Sequence, residues 1–330
     1  MKIFLYTFLG LLFFSGCASK NYYEPKKLDG SISFANKINS HLSEVSRDGA
    51  TFKNGMFVTR LSGIEKYKLP KGFRFVSKNK DLETIAVSNN GDIAIFVNGV
   101  KKFEKKFETA ISAASLHKNL LAIVFSNNTI MLYDIKADKK VYTEELESTL
   151  ALDARVANPL FLNDLVIFPT LDGRLLVMDV NRKQILRDVA ISDKELFNNV
   201  IFLEVHNNIL IAATASKVVS INPKTINTLR VPVKDLLYIN DKVYIFTKNG
   251  KVILSDNYLK VIKEIKFPFA IFSTLMYADK IHAVEKGGYL ISLDKDLSGS
   301  SIYKLDDDVE KPLFGFGNSL ILDNKLLLLK

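Results

Sequence analysis

A unit of about 40 residues recurs along this chain, and every copy has the same internal plan. Residues 120–146, LLAIVFSNNTIMLYDIKADKKVYTEEL, read as an apolar strand, a polar turn, a strand ending in Asp134, a second turn and a third strand. Residues 166–191 repeat the plan with Asp179, 209–233 with Asn222, 243–267 with Asp256, 281–305 with Asp294 and 85–107 with Asn98. A further strand precedes each unit, joined by a short polar turn through Asn79, His117, Asn163, His206, Asn240, Ala278 and Gly317, at spacings of 34 to 46 residues. Four short strands on this period are the mark of a β-propeller blade. One blade alone exposes two apolar faces, neighbours cover them, and a closed ring needs no caps.

The ends of the chain set the blade count. Residues 48–69 hold one more strand-turn-strand-turn-strand unit, while 313–330 supply three strands, LFGFG, SLILD and KLLLL. The missing outer strand is assigned to residues 30–35, GSISFA. The expectation is an all-β propeller of eight four-stranded antiparallel blades, the last closed by both termini. Seven blades is the alternative, with 30–69 and 313–330 forming one irregular blade. A linear β-solenoid or two β-sandwiches would use equally short strands, but the regular period with Asp or Asn at a fixed place argues against them. Helical periodicity is almost absent; only residues 35–45 and 192–197 could hold short helices.

The recurring polar residues have structural work to do. Asp134, Asp179, Asn222, Asp256 and Asp294 follow a strand and precede a turn, where their side chains can accept backbone N–H groups two residues on. Gly91, Gly173, Gly250 and Gly287 stand in the preceding hairpin, where positive φ is needed. Each acidic residue belongs to a different blade, so together they do not make a catalytic site. In the run 100–107, VKKFEKKF, the lysines suit an exposed sheet edge or a docking patch for acidic surface or lipid.

The N-terminus states where such a domain would work. Lys2 precedes an apolar run of 12 residues, 3–14, the length of a secretory signal core and too short to span a bilayer with margin. Phe14-Ser15-Gly16-Cys17 resembles the bacterial lipobox, with Phe14 in place of the usual Leu. In that family the cysteine is acylated and the preceding peptide removed, which implies lipidation at Cys17. The expected division is a signal peptide at 1–16, a lipidated cysteine and flexible polar tether at 17–29, and a single propeller domain at 30–330. Ala18 is unlike the Asp that retains lipoproteins in the inner membrane of enteric bacteria, so the expected location is the periplasmic face of the outer membrane.

The rest of the composition narrows the chemistry. Cys17 is the only cysteine, so the folded part has no disulfide or cysteine metal site, and the 48% hydrophobic content must hold it together by burial. The net charge of +9 falls to +8 without Lys2 and is spread as single lysines. That pattern suits anionic lipid or acidic protein better than nucleic acid. His41, His117, His206 and His282 are not at metal-binding spacings, and no nucleotide or hydrolase fingerprint occurs. The pair around Phe316, Gly315 and Gly317, reads as a bend.

The hairpin Gly173-Arg174-Leu175-Leu176-Val177-Met178-Asp179 resembles the pyrroloquinoline-quinone-type propeller repeat. Eight such blades behind a lipobox look like the BamB family, lipoproteins of the outer-membrane β-barrel assembly machine. That family usually places a Trp in the outer strand; this chain has none, and Tyr142, Leu186, Leu229, Ile265 and Tyr303 stand in the analogous places. Quinone-dependent enzymes on this fold need a tryptophan docking motif and calcium, so no catalytic residue, cofactor or metal is assigned. The resemblance implies a non-enzymatic scaffold that binds the assembly machinery or unfolded outer-membrane proteins. A ligand-binding or enzymatic propeller, or a surface-exposed lipoprotein of adhesion type, is the alternative.

Overall fold

The computed structural model describes residues 22–149, 153, 155–192, 199–307 and 309–329. Cys17 and the leader, and most of the short helix expected at 192–197, lie outside the described residues. Eight sheets follow one another around an axis, each strand hydrogen-bonded to the next in sequence order. Blades 1 to 8 comprise residues 42–64, 73–106, 111–145, 160–190, 202–230, 233–266, 272–305 and 313–328. First strands of neighbouring blades touch one another, as Phe73–Lys78 touches Ile111–His117, so they line the axis. The turns joining strands one and two, and three and four, form what we call the upper face. The lower face carries the turns between strands two and three and the connections to the next blade.

The buried apolar residues sort into eight clusters, one in each seam between adjacent blades. Strand alternation explains why the central strands are apolar throughout. In Leu120–Phe125 the side chains of Leu121, Ile123 and Phe125 enter the seam with blade 2, while Ala122 and Val124 enter the seam with blade 4. Fourth strands have one wet face and alternate instead; in Val100–Lys106 only Phe103 and Lys105 are shielded, and Lys105 bonds Asp138 of blade 3 at 2.9 Å.

Four of the five expected Asx turns form. Asp134 accepts the N–H groups of Lys136 and Ala137, Asp179 those of Asn181 and Arg182, Asn222 those of Lys224 and Thr225, and Asp256 those of Tyr258 and Lys260, all at 2.8 or 2.9 Å. Asp294 departs: it pairs with Lys280 at 2.9 Å, and Asp296 caps the turn through Ser298. Gly250 is needed where expected, with φ +80° and space for a Cβ only 2.2 Å from the Phe267 carbonyl oxygen. In blade 7 the positive φ falls on Gly288, not Gly287, because Gly287 N–H is turned onto the Glu285 carboxylate at 2.6 Å.

The N-terminal segment differs most from expectation. Both termini do close blade 8, but the outer strand is Asn36–Lys37, paired with Leu326 and Lys325. Of residues 30–35, Gly30–Ile32 instead joins blade 7 as a fifth strand, parallel to Ser300–Leu305. The chain thus straps blade 7 before reaching blade 8, and Asp29 fixes this register by exchanging bonds of 2.8 and 2.9 Å with the Ile302 backbone. Residues 35–45 are not a helix: they contribute Asn36–Lys37 to blade 8 and Leu42–Val45 to blade 1, since both sheets offer unpaired edges there. Of residues 22–29, Tyr23 and Asp29 are held against the propeller, and most of the others are exposed. Tyr23 is 6% exposed in the seam of blades 6 and 7, edge-on to Phe267 and Tyr289.

Among the residues standing where the family has Trp, Tyr142, Leu229, Ile265 and Tyr303 pack against their seams. Leu186 does not. A β-bulge opposite Val177 and Met178 leaves it unpaired and 45% exposed, and Ile185 and Val189 turn inward instead.

Candidate functional site

The axis of the ring is crossed by charged side chains from blades far apart in sequence. Arg47 sits in the first turn of blade 1, and its guanidinium donates to Asp235 Oδ1 at 3.0 Å and to the Leu236 carbonyl at 3.4 Å. Asp235 lies on the innermost strand of blade 6, and the Arg47 guanidinium also rests 4.2 Å over the ring of Phe202 from blade 5. Arg155, leading into blade 4, bonds Asp153 at 2.6 Å and approaches Asp235 at 3.6 Å. Arg60 donates to the Arg47 carbonyl at 2.6 Å. Asn158 donates to Asp48 at 2.7 Å and to the Val76 carbonyl, and accepts the Ala114 N–H at 3.1 Å, joining blades 1 to 4.

These groups answer one another. Burial alone would push the Asp235 carboxyl up, but Arg47, Arg155 and Arg60 outweigh it and hold the group below its ordinary range. Burial, aided by neighbouring Arg47, lowers the Arg60 pKa, though an arginine so placed keeps its proton. The network therefore acts as a strut across the ring with its charges already paired.

Cavities open on both sides of the strut. The smaller, about 250 Å³, lies towards the lower face among Glu44, Arg74, Ser112 and Val156. The larger, about 800 Å³, opens on the upper face between blades 1 and 4. Its wall includes an ion pair, Lys78 to Glu65 at 2.6 Å, that is nearly closed to solvent. Its rim mixes Lys80, Asp81 and His117 with Leu61, which is 53% exposed; Leu82 on the adjoining turn is 44% exposed. An open, rimmed vestibule with apolar tips and both signs of charge suits an inserted loop or peptide of another protein.

The histidines are placed in turns or paired. His117 lies against Phe161, and His206 stands edge-on to Tyr238 with its pKa raised by Glu204. His41 pairs with Asp323 at 2.8 Å, and His282 is buried on Ser292 at 2.8 Å. Among the described residues no three His, Cys, Asp or Glu side chains gather as metal ligands would.

Sequence reasoning did not single out Arg47, Asp235, Arg155 or Asn158. One signal was present: Lys234 and Asp235 interrupt the apolar innermost strand Val233–Ile239, and the Asp235 position must face the axis or a seam. Its partner Arg47 is 188 residues away and lies in a turn with no periodicity to read.

No family profile matches the chain. The plasminogen-binding protein PgbB of Helicobacter pylori, from two strains, is 27% identical over 92% of this chain and over 65% or 64% of its own length. The chain thus spans slightly less than two thirds of the curated relatives it matches. Among solved structures, BamB from Moraxella catarrhalis superposes with a TM-score of 0.66 at 12% identity, covering 89% of this chain and 98% of BamB. The C-terminal WD40 domain of Sif2 gives a TM-score of 0.66 at 13% identity over 89% of this chain and 98% of its own. The fold is a BamB-like eight-bladed β-propeller. At this identity the likeness speaks for the fold alone.

Proposed function

We propose that this chain is a non-enzymatic, protein-binding scaffold, anchored through a lipid on Cys17 to the periplasmic face of the outer membrane. The observation that carries the reading is the contrast at the axis. The centre is filled by a strut whose charges are mutually paired, whereas the upper vestibule presents exposed Leu61 and Leu82 beside Lys80 and Asp81. Rigid loops around a shallow opening serve a protein partner better than a small molecule. The partner we assign is the β-barrel assembly machinery or its unfolded substrates, in keeping with the BamB-like fold.

A second reading has its own support. The relatives named plasminogen-binding protein align with nearly the whole chain, which favours display on the cell surface and capture of an extracellular protein such as plasminogen. One experiment separates the two: affinity capture from cross-linked cells with the native chain, with Leu61→Asp and Leu82→Asp alongside, and protease treatment of intact cells. Assembly-machine proteins captured with the native chain but lost with both variants, from a protease-resistant pool, support the first reading. Digestion on intact cells together with plasminogen binding supports the second. Capture unchanged by both variants removes the vestibule from the argument. Cys17→Ala should abolish incorporation of labelled fatty acid, and continued labelling would refute the anchor.

A further inference from the structure

On the lower face, blade 6 connects to blade 7 through Phe267-Pro268-Phe269-Ala270-Ile271. Ala270 N–H donates to the Phe267 carbonyl at 3.1 Å, closing a turn with Pro268 second and Phe269 third, at φ +66°. A turn of this kind normally has glycine at the third position, because a side chain there is strained. Here the position holds a phenylalanine that is 55% exposed, and Ile271 beside it is 50% exposed. The strained corner is held from within the fold: the buried Glu285 carboxylate accepts the Ile271 N–H at 3.1 Å. Lys248 and Lys266 border a hollow of about 390 Å³ next to Phe269, and Lys286 N–H donates to the Ile271 carbonyl at 2.9 Å. The three lysines are exposed.

The Lys266 ammonium donates to the Asn249 carbonyl on the border of the hollow, and an apolar tip beside exposed lysines matches the boundary between phosphate headgroups and acyl chains. The route of the N-terminus says that this is what it meets. Tyr23 is locked into the same corner against Phe267 and Tyr289, with Tyr22 beside it 72% exposed. Only five residues separate Tyr23 from Cys17, six steps of the chain with a reach of about 20 Å at most. A lipid on Cys17 therefore keeps this corner of the lower face at the bilayer.

We propose that the lower face of blades 6 and 7 rests on the membrane that holds the chain's own lipid, with Phe269 and Ile271 inserted among the headgroups and Lys248, Lys266 and Lys286 against phosphates. The upper vestibule then points away from that membrane. This rests on the lipid anchor of the proposed function, and the test separates the two.

The chain contains no tryptophan, so a single indole can report from any chosen place. The full chain, expressed with its leader, is reconstituted as Phe269→Trp, as Ile271→Trp and, on the opposite face, as Leu82→Trp. The vesicles contain phosphatidylethanolamine and phosphatidylglycerol brominated along the acyl chains, and flotation measures attachment. The expected result is that all three float, that the indoles at 269 and 271 emit at blue-shifted wavelengths and are quenched by bromines about 5–10 Å below the phosphates, and that the indole at 82 emits as in water. Ile271→Trp guards against a Phe269→Trp chain that misfolds. Chains that float with the indoles at both 269 and 271 unquenched overturn the proposed orientation and leave the anchor standing. Chains that do not float overturn both.

Discussion

Asp235→Asn should destabilise the propeller far more than a single surface charge could. Arg47 and Asp235 have side chains only 8% and 7% exposed, and Asp235 also faces Arg155 at 3.6 Å. Neutralising it removes the carboxylate that Arg47 and Arg155 both face at the axis, while Asp153 stays bonded to Arg155. Removing one member of a buried ion pair costs about 3–5 kcal/mol, and we expect about 3 because the amide still accepts a hydrogen bond. For a domain of this size that is a fall in Tm of roughly 5 °C. The double variant Arg47→Met/Asp235→Leu removes charge of both signs, so it should be more stable than the sum of its single changes by at least about 1.5 kcal/mol. Urea unfolding followed by circular dichroism measures all of them. Because the folded pKa of Asp235 is depressed, its contribution is complete above the ordinary carboxylate pKa and is lost as pH falls through the folded value. The deficit of Asp235→Asn should therefore be the same at neutral pH as at about pH 5. A loss below about 1 kcal/mol, or strict additivity in the double variant, refutes the strut as a source of stability.

Other expectations are open to the same assay. Tyr23→Ala should cost about 3 kcal/mol, since its ring fills a seam, whereas Tyr22→Ala should cost almost nothing; equal effects would mean that the N-terminal segment is not docked. Gly250→Ala should cost more than about 1 kcal/mol, because the added carbon meets the Phe267 carbonyl and the residue must keep positive φ. Burial holds the His282 pKa below its ordinary value, so the unfolded chain takes up its proton first as pH falls. Stability should then decline below about pH 6.5, less steeply in His282→Gln, and identical pH profiles would remove this histidine from the acid response.

What could be read from the sequence was whatever repeats. The period fixed the blades, and Asp134, Asp179, Asn222 and Asp256 stood where an Asx turn is needed because the same local hydrogen bonds are required each time. Single events were hidden. The bulge that exposes Leu186 shifts the alternation by one residue and leaves no local mark, so the apolar pair Ile185-Leu186 can be read either way round. The strand that closes blade 8 was misplaced by a few residues because GSISFA has the better strand composition. What decided the pairing was which edge the strap reaches after passing blade 7. The vestibule and strut join loop residues such as Arg47 to strand residues such as Asp235 that meet only when the ring is complete, and periodicity carries no information about those meetings.

The closing strand has a consequence for how this protein comes into being. Lys37 finds its partner at Lys325, so the strand that completes the last blade is synthesised ahead of all eight blades and waits for them. Until then blade 1 and the newest blade each present an uncovered apolar side, and the growing product is an open arc. Local hairpins within each blade can form as they emerge, but the final zippering is a long-range event, in which Asn36 and Lys37 pair with Leu326 and Lys325 and the N–H groups of Ile38 and Leu42 reach the carbonyls of Asn324 and Asp323. The slowest and most aggregation-prone interval in the life of this molecule should therefore fall between the completion of blade 7 and the arrival of its last strand.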